Sequence, residues 1–168
     1  HAGANMIVNG DFNDGYAFFG SDYFFVGQDE DPVSGSGGSF DLTNSGTFVV
    51  TANANTWHPN FDSLGDHTTG DGRMLVANGS EDSNAAVWRQ FISVDADARG
   101  GELFYTFSFW ARTVFAASPP TLQVQIDGEN VGSVLVPESN LAWTRFTFDF
   151  NWVPSAGSRG TGFMLSIV

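Results

Sequence analysis

Apolar and polar residues alternate in twos through most of this chain, and no other feature narrows its possible folds so far. In Glu102-Leu-Phe-Tyr-Thr-Phe-Ser-Phe-Trp-Ala-Arg-Thr-Val114, one face carries Leu103, Tyr105, Phe107, Phe109 and Ala111. The opposite face carries Phe104, Thr106, Ser108, Trp110 and Arg112. Successive side chains of a strand point to opposite faces of its sheet, so this is the pattern of a half-buried strand. The first set reads as a core face and the second as mixed. Leu122, Val124 and Ile126 alternate in the same way with Gln123, Gln125 and Asp127. Phe146, Phe148 and Phe150 are expected inward, with Trp143, Arg145, Thr147 and Asp149 outward. Asp127-Gly128 marks a tight turn into a strand at 130–136. Shorter strands are expected at 6–9, 47–52, 73–77, 86–94 and 162–168. No heptad, long helical period or internal repeat competes with this pattern. An all-β fold follows: a single domain over 1–168 built as an antiparallel β-sandwich, a jelly roll.

Seventeen Phe and five Trp give a chain of 168 residues the means to fill such a core. No apolar run is long enough to span a bilayer as a helix, so membrane insertion is not expected. No secretory leader pattern opens the chain, and His1 reads as a mature end or a tag remnant. Cysteine is absent, which removes disulfides, thiolate metal sites and Cys nucleophiles. Nineteen acids face six bases, all of them Arg, for a net charge of −13. That field repels nucleic acid and anionic lipid, and salt screens its self-repulsion. The segment 27–46 is acidic and rich in Gly and Ser, and reads as a surface loop too polar to pack.

Ile7-Val-Asn-Gly-Asp-Phe-Asn13 resembles the opening V-N-G-x-F-E strand of galactose-binding-like jelly rolls. These include carbohydrate-binding modules attached to xylanases and cellulases. Asp66-His-Thr-Thr-Gly-Asp-Gly-Arg-Met-Leu-Val-Ala-Asn-Gly-Ser80, Val87-Trp-Arg-Gln90, Tyr105-Thr-Phe-Ser-Phe-Trp-Ala-Arg112 and Trp143-Thr-Arg-Phe146 are similar to secreted bacterial modules of this type. The resemblance implies a structural calcium beside the first strand. Asp11 would offer its carbonyl and Asn13 its side chain, with oxygens at Asp66 and Asp71 completing the set. Two departures stand out. Asn13 occupies a place commonly held by Glu, and the closing strand with an Asp-Asp pair is missing after Phe163-Met-Leu-Ser-Ile-Val168. A sheet without that strand is expected to leave an open edge at 163–168, unless the strand is disordered, lies beyond Val168 or the fold closes differently; a neighbouring subunit's strand would fill an open edge.

A sugar's C–H face stacks on an aromatic ring while amides and charges bond its hydroxyls. Trp57, Trp88, Trp110, Trp143 and Trp152 are therefore candidates, against the alternative that they fill core or rim positions. Trp110, Arg112, Gln123, Gln125, Trp143 and Arg145 are expected to share one exposed sheet face. Trp57, in the loop Asn55-Thr-Trp-His-Pro-Asn60, is expected to be the most exposed. His1, with His58 or His67, matches the N-terminal copper chemistry of oxidative polysaccharide-cleaving enzymes, a reading set far below binding. No Gly-x-Ser-x-Gly elbow is present. Asp29-Glu-Asp31, Asp95 and Asp97 read as solvated charges, and Asn78-Gly-Ser80 matches a glycosylation acceptor.

The sequence is thus expected to encode a non-catalytic, extracellular or cell-surface module that binds a polysaccharide or other glycan, or acts in adhesion, with calcium as a structural ion. The alternative is a structural subunit of a filament, sheath or surface layer, self-assembled by strand complementation at the vacant edge.

Overall fold

The computed structural model describes residues 4–27, 41–94, 102–138, 142–154 and 162–168. The strands are β1 (Phe24–Phe25), β2 (Thr47–Thr51), β3 (Met74–Asn78), β4 (Trp88–Ser93), β5 (Leu103–Ala111), β6 (Thr121–Ile126), β7 (Glu129–Leu135), β8 (Thr144–Trp152) and β9 (Gly162–Ile167). Short 3₁₀ turns lie at Asp41–Thr43 and Ala54–Thr56. The strands form three sheets, in the orders β1-β2-β3, β4-β9-β6-β7 and β5-β8. Every named pairing is antiparallel except β1 with β2, which is parallel. The molecule is therefore an all-β domain of mixed topology.

Alternation places the strands as read from sequence. Phe107 of β5 and Phe150 of β8 are buried with Trp88 and Ile92 of β4, Val124 and Ile126 of β6, and Phe163 and Leu165 of β9. The two-stranded sheet thus lays one face on the four-stranded sheet. Tyr105 stacks on Phe150 at 5.6 Å, and Phe163 meets the Phe150 ring edge-on at 5.5 Å. Asp127 and Gly128 both take positive φ, +51° and +86°, as a tight β6–β7 hairpin demands.

A second core lies under the three-stranded sheet, where Leu42, Val49, Ala54, Trp57, Phe61, Leu64, Met74 and Val76 are buried together. Val114 and Trp143, at the ends of β5 and β8, pack against it. Phe19 packs against the first core and reaches Phe48 of β2 at 6.3 Å, tying the sheets together. Leu42 is fully buried, so the segment 27–46 is not wholly an unpacked loop. Asp29, Glu30 and Asp31 lie outside the described residues, as do Asp95 and Asp97.

Two sequence expectations fail here for physical reasons. Residues 6–9 form no strand. The Gln90 side chain stands in for a partner strand: its Oε1 accepts from Val8 N–H at 2.9 Å and its Nε2 donates to Val8 O at 2.9 Å. The same Nε2 reaches Phe18 O at 2.7 Å. Asn9 then turns the chain at φ +53°, its amide nitrogen donating to Gly15 O and Ala17 O and its oxygen accepting from Asp14 N–H.

The second failure is the open edge at 163–168. β9 is an interior strand, paired with β4 on one side and β6 on the other. Val168 extends the pairing, exchanging backbone hydrogen bonds with Gln123 at 2.8 and 2.9 Å. The outer side of β4 is in turn met by Gly20, which exchanges two backbone bonds with Arg89.

Gln90 is buried, and removing its amide strands the Val8 and Phe18 groups it serves. Gln90→Leu should lower unfolding free energy in urea by about 2–4 kcal/mol. A loss below about 0.5 kcal/mol would show that the first segment is held by something else.

Candidate functional site

Because the apolar residues of β5 and β8 face the core, their alternate residues face solvent. Across this outer face the register pairs Phe104 with Asn151, Thr106 with Asp149, Ser108 with Thr147, and Trp110 with Arg145. Hydroxyl, amide, carboxylate and guanidinium groups therefore run between two exposed rings. Phe104 is 75% exposed and Trp110 43%. The six-residue separation of those rings along β5 spans about 20 Å. Several groups are already oriented. Thr106 Oγ1 donates to Asp149 Oδ1 at 2.6 Å, Asn151 Nδ2 to Glu102 Oε1 at 2.8 Å, and Arg145 Nη2 to Ser108 Oγ at 3.1 Å.

The Trp110 end is built by a loop as well as by strands. His67 lies flat on the indole, with ring centroids 3.7 Å apart and planes inclined by 18°. Trp143 meets the same imidazole edge-on at 6.3 Å. The loop that carries His67 is organised by its neighbour Asp66. Asp66 Oδ1 accepts from Gly72 N–H at 2.7 Å and from the Thr69 hydroxyl at 2.8 Å. Its Oδ2 accepts from the N–H groups of Thr68 and Thr69 at 2.9 and 3.0 Å. Desolvation works to raise the Asp66 pKa. The bonds from Thr69 N–H, the Thr69 hydroxyl, Gly72 N–H and Thr68 N–H outweigh it and hold the carboxyl far below the usual carboxylate range. Gly65 closes the loop from the other side: a Cβ there would stand 1.7 Å from Gly70 O.

The residues singled out from sequence fall in different places. Trp110 and Arg145 are together, with Trp143 half-buried beside them. Arg112 is next along the chain, but its side chain is only 8% exposed and pairs with Asp62 at 3.2 Å. It braces the end of β5 rather than the open face. Gln123 and Gln125 lie on the far side of the molecule: Val124 and Ile126 turn into the core, so these glutamines line the outer face of the four-stranded sheet. There Gln125 is opposite Ser166, which is itself opposite Arg89. Trp57 is 5% exposed inside the second core, which corrects its expected place on the surface.

His67, Ser108, Thr147, Asp149 and Asn151 join the site through register and stacking. The period of two shows which residues share a face of one strand, and it puts Phe104, Thr106 and Ser108 with Trp110 on the mixed face. No local signal brings His67 to Trp110 across forty-three positions. His1 lies outside the described residues, and His58 stacks on Phe61 while its Nδ1 accepts from Asn60 N–H. The sequon residue Asn78 donates its side-chain nitrogen to Leu42 O at 2.7 Å.

Of the residues expected to hold calcium, Asp66 and the side chain of Asp11 serve their own loops. Both Asp11 oxygens accept from Asn13, one from its N–H and one from its Nδ2. Both Asp66 oxygens are doubly bonded to donors as described, and Asp71 is exposed. A guanidinium nitrogen of Arg73 lies against Gly15 of the first loop, 3.3 Å from where a Cβ would stand. Among the described residues no group of three His, Asp or Glu side chains converges. Calcium takes about six to eight oxygens, so a site here would have to draw main-chain carbonyls in beside these side chains.

No family model matches this chain, nor does any curated protein or any solved structure. No helix among the described residues is long and apolar enough to cross a membrane.

Two outcomes test the loop. Asp66 has a depressed folded pKa, so its contribution is full above the unfolded value near ~3.9 and is lost as pH falls below that value. Asp66→Asn should therefore lower Tm at neutral pH, and its deficit against the wild type should shrink as pH is taken from neutral toward strong acid. A deficit that stays constant down to strong acid would mean the Asp66 charge is not what the loop uses. Millimolar calcium should change Tm no more than magnesium at equal ionic strength, and a calcium-specific rise of several degrees would restore the ion to these loops.

Proposed function

We propose that this domain is a non-catalytic glycan-binding module that works outside the cell, and that it holds a polysaccharide along the outer face of β5–β8. One observation carries the reading: an exposed ladder of hydrogen-bonding side chains is bracketed by two exposed aromatic rings, Phe104 and Trp110. Sugar rings present C–H faces to aromatic side chains and hydroxyls to amides, carboxylates and guanidinium groups, so this face offers both halves of that recognition. The indole that stacking requires is backed by His67, which Trp143 meets in turn. The face is open and gently polar, which suits a chain lying across it better than a small molecule enclosed in a pocket.

The proposal draws its likeness to galactose-binding-like jelly rolls from Ile7–Asn13 and Asp66–Ser80, and its support from the face itself. Assembly by strand complementation is the second reading. It loses the vacancy on which it rested, because β9 is flanked on both sides.

Trp110 stands on the solvent side of β5, so its removal should spare the fold. Trp110→Ala should abolish retention in affinity electrophoresis against a panel of soluble polysaccharides, while the circular dichroism spectrum stays unchanged and Tm falls by only a few degrees. If the wild type is retained by a polysaccharide and Trp110→Ala is retained equally, the binding face lies elsewhere.

A further inference from the structure

The outer face of β5–β8 is not electrically uniform, and its polarity points to a class of glycan. At one end stand Asp149 and, bonded to Asn151, Glu102. At the other end stand Trp110 and Arg145, directly opposite each other in register. Four residues of β8 separate Arg145 from Asp149, about 13 Å. Of the arginines whose contacts are described, Arg89 pairs with Asp22 and Arg112 with Asp62. Arg73 and Arg145 have no ion pair among the described residues, and of the two only Arg145 is exposed, its guanidinium donating to the neutral Ser108 hydroxyl. In a chain of net charge −13, Arg145 thus stands beside an exposed tryptophan with no carboxylate in ion-pair contact among the described residues, the nearby Asp66 carboxylate being bonded within its own loop.

We infer that the Trp110–Arg145 end of this face selects an acidic saccharide, one bearing a carboxylate or sulfate group. This inference rests on the glycan-binding reading above. The sugar ring stacks on Trp110, and the guanidinium of Arg145 bonds the anionic group through the fork geometry that suits planar oxyanions. Ser108 keeps the guanidinium against β5 without neutralising it. At the far end Asp149 and Asn151 bond the sugar hydroxyls, so the contact that discriminates an anionic group is the one at Arg145. At physiological salt the distant acids are screened beyond about 8 Å, and the nearby guanidinium governs the contact.

The test is affinity electrophoresis of the whole domain in two matched pairs of polymers. Polygalacturonate is set against its methyl ester, and dextran sulfate against dextran. The wild type should bind the charged member of at least one pair about tenfold more tightly than its neutral counterpart. The pair that responds tells carboxylate from sulfate. Arg145→Gln should lose that preference, Arg145→Lys should keep part of it, and Arg89→Gln, on the other outer face, should keep all of it. Equal binding of charged and neutral members, or a preference that survives Arg145→Gln, overturns the acidic-saccharide inference and leaves the glycan reading standing. An equal loss in Arg89→Gln overturns it too, because total charge would then be the cause. If neither these polymers nor the wider panel retains the wild type, both readings fall.

Discussion

A two-stranded ribbon is at best marginally stable alone in water, and β5–β8 is such a ribbon. It persists because Phe107 and Phe150, with Tyr105, Phe109 and Phe148 around them, are pressed onto the four-stranded sheet. Everything else in the candidate site follows from that contact. Turning five aromatic side chains inward commits every intervening residue to the opposite side. The open face is therefore a by-product of the core, and its register is as firmly specified as the packing beneath it. Slipping the ribbon by one residue would put Asp149 and Arg145 in the core, at a cost no sheet contact could offset.

The loop around Asp66 adds a different kind of order. A carboxylate with four donors on its two oxygens is a small, fully satisfied polar network built within the stretch Asp66–Gly72. It shapes the chain locally with almost no apolar burial. What it positions, however, is long-range: the imidazole laid across Trp110. Local polar closure on one side and an aromatic stack on the other convert a surface loop into part of a rigid face.

The strands were legible because alternation is a property of neighbours, and neighbours are what a sequence displays. The inward phenylalanines of β5 and β8 and the Asp127-Gly128 hairpin could be read residue by residue. Alternation says which residues share one side of a strand; it does not say which sheet the strand joins. Gln123 and Gln125 match Trp110 in pattern for that reason, although β6 lies in the opposite layer. Trp57 misled in another way. Its neighbours Asn55, His58 and Asn60 are polar, yet Asn55 spends its amide on Pro59 O and Phe61 O, folding the loop inward around the indole. At residues 6–9 a short apolar run had the composition of a strand, but a buried glutamine side chain took the place that a backbone would have filled. Asp11 and Asp66 are oxygen-rich positions in sequence, and in space their carboxylates bond donors of their own loops.

The interior position of β9 bears on how the domain is made. β4 and β6 lie in one sheet only because β9 comes between them, and β9 follows every other described strand. Until residues 162–167 have been synthesised, the sheet is two unconnected pieces and the ribbon has no complete surface to settle on. Such an arrangement makes the sheet's assembly depend on contacts distant in sequence, which slows folding and lengthens the time its aromatic faces are bare. In a growing chain of this kind the two halves of the sheet join in a single step, once β9 has emerged.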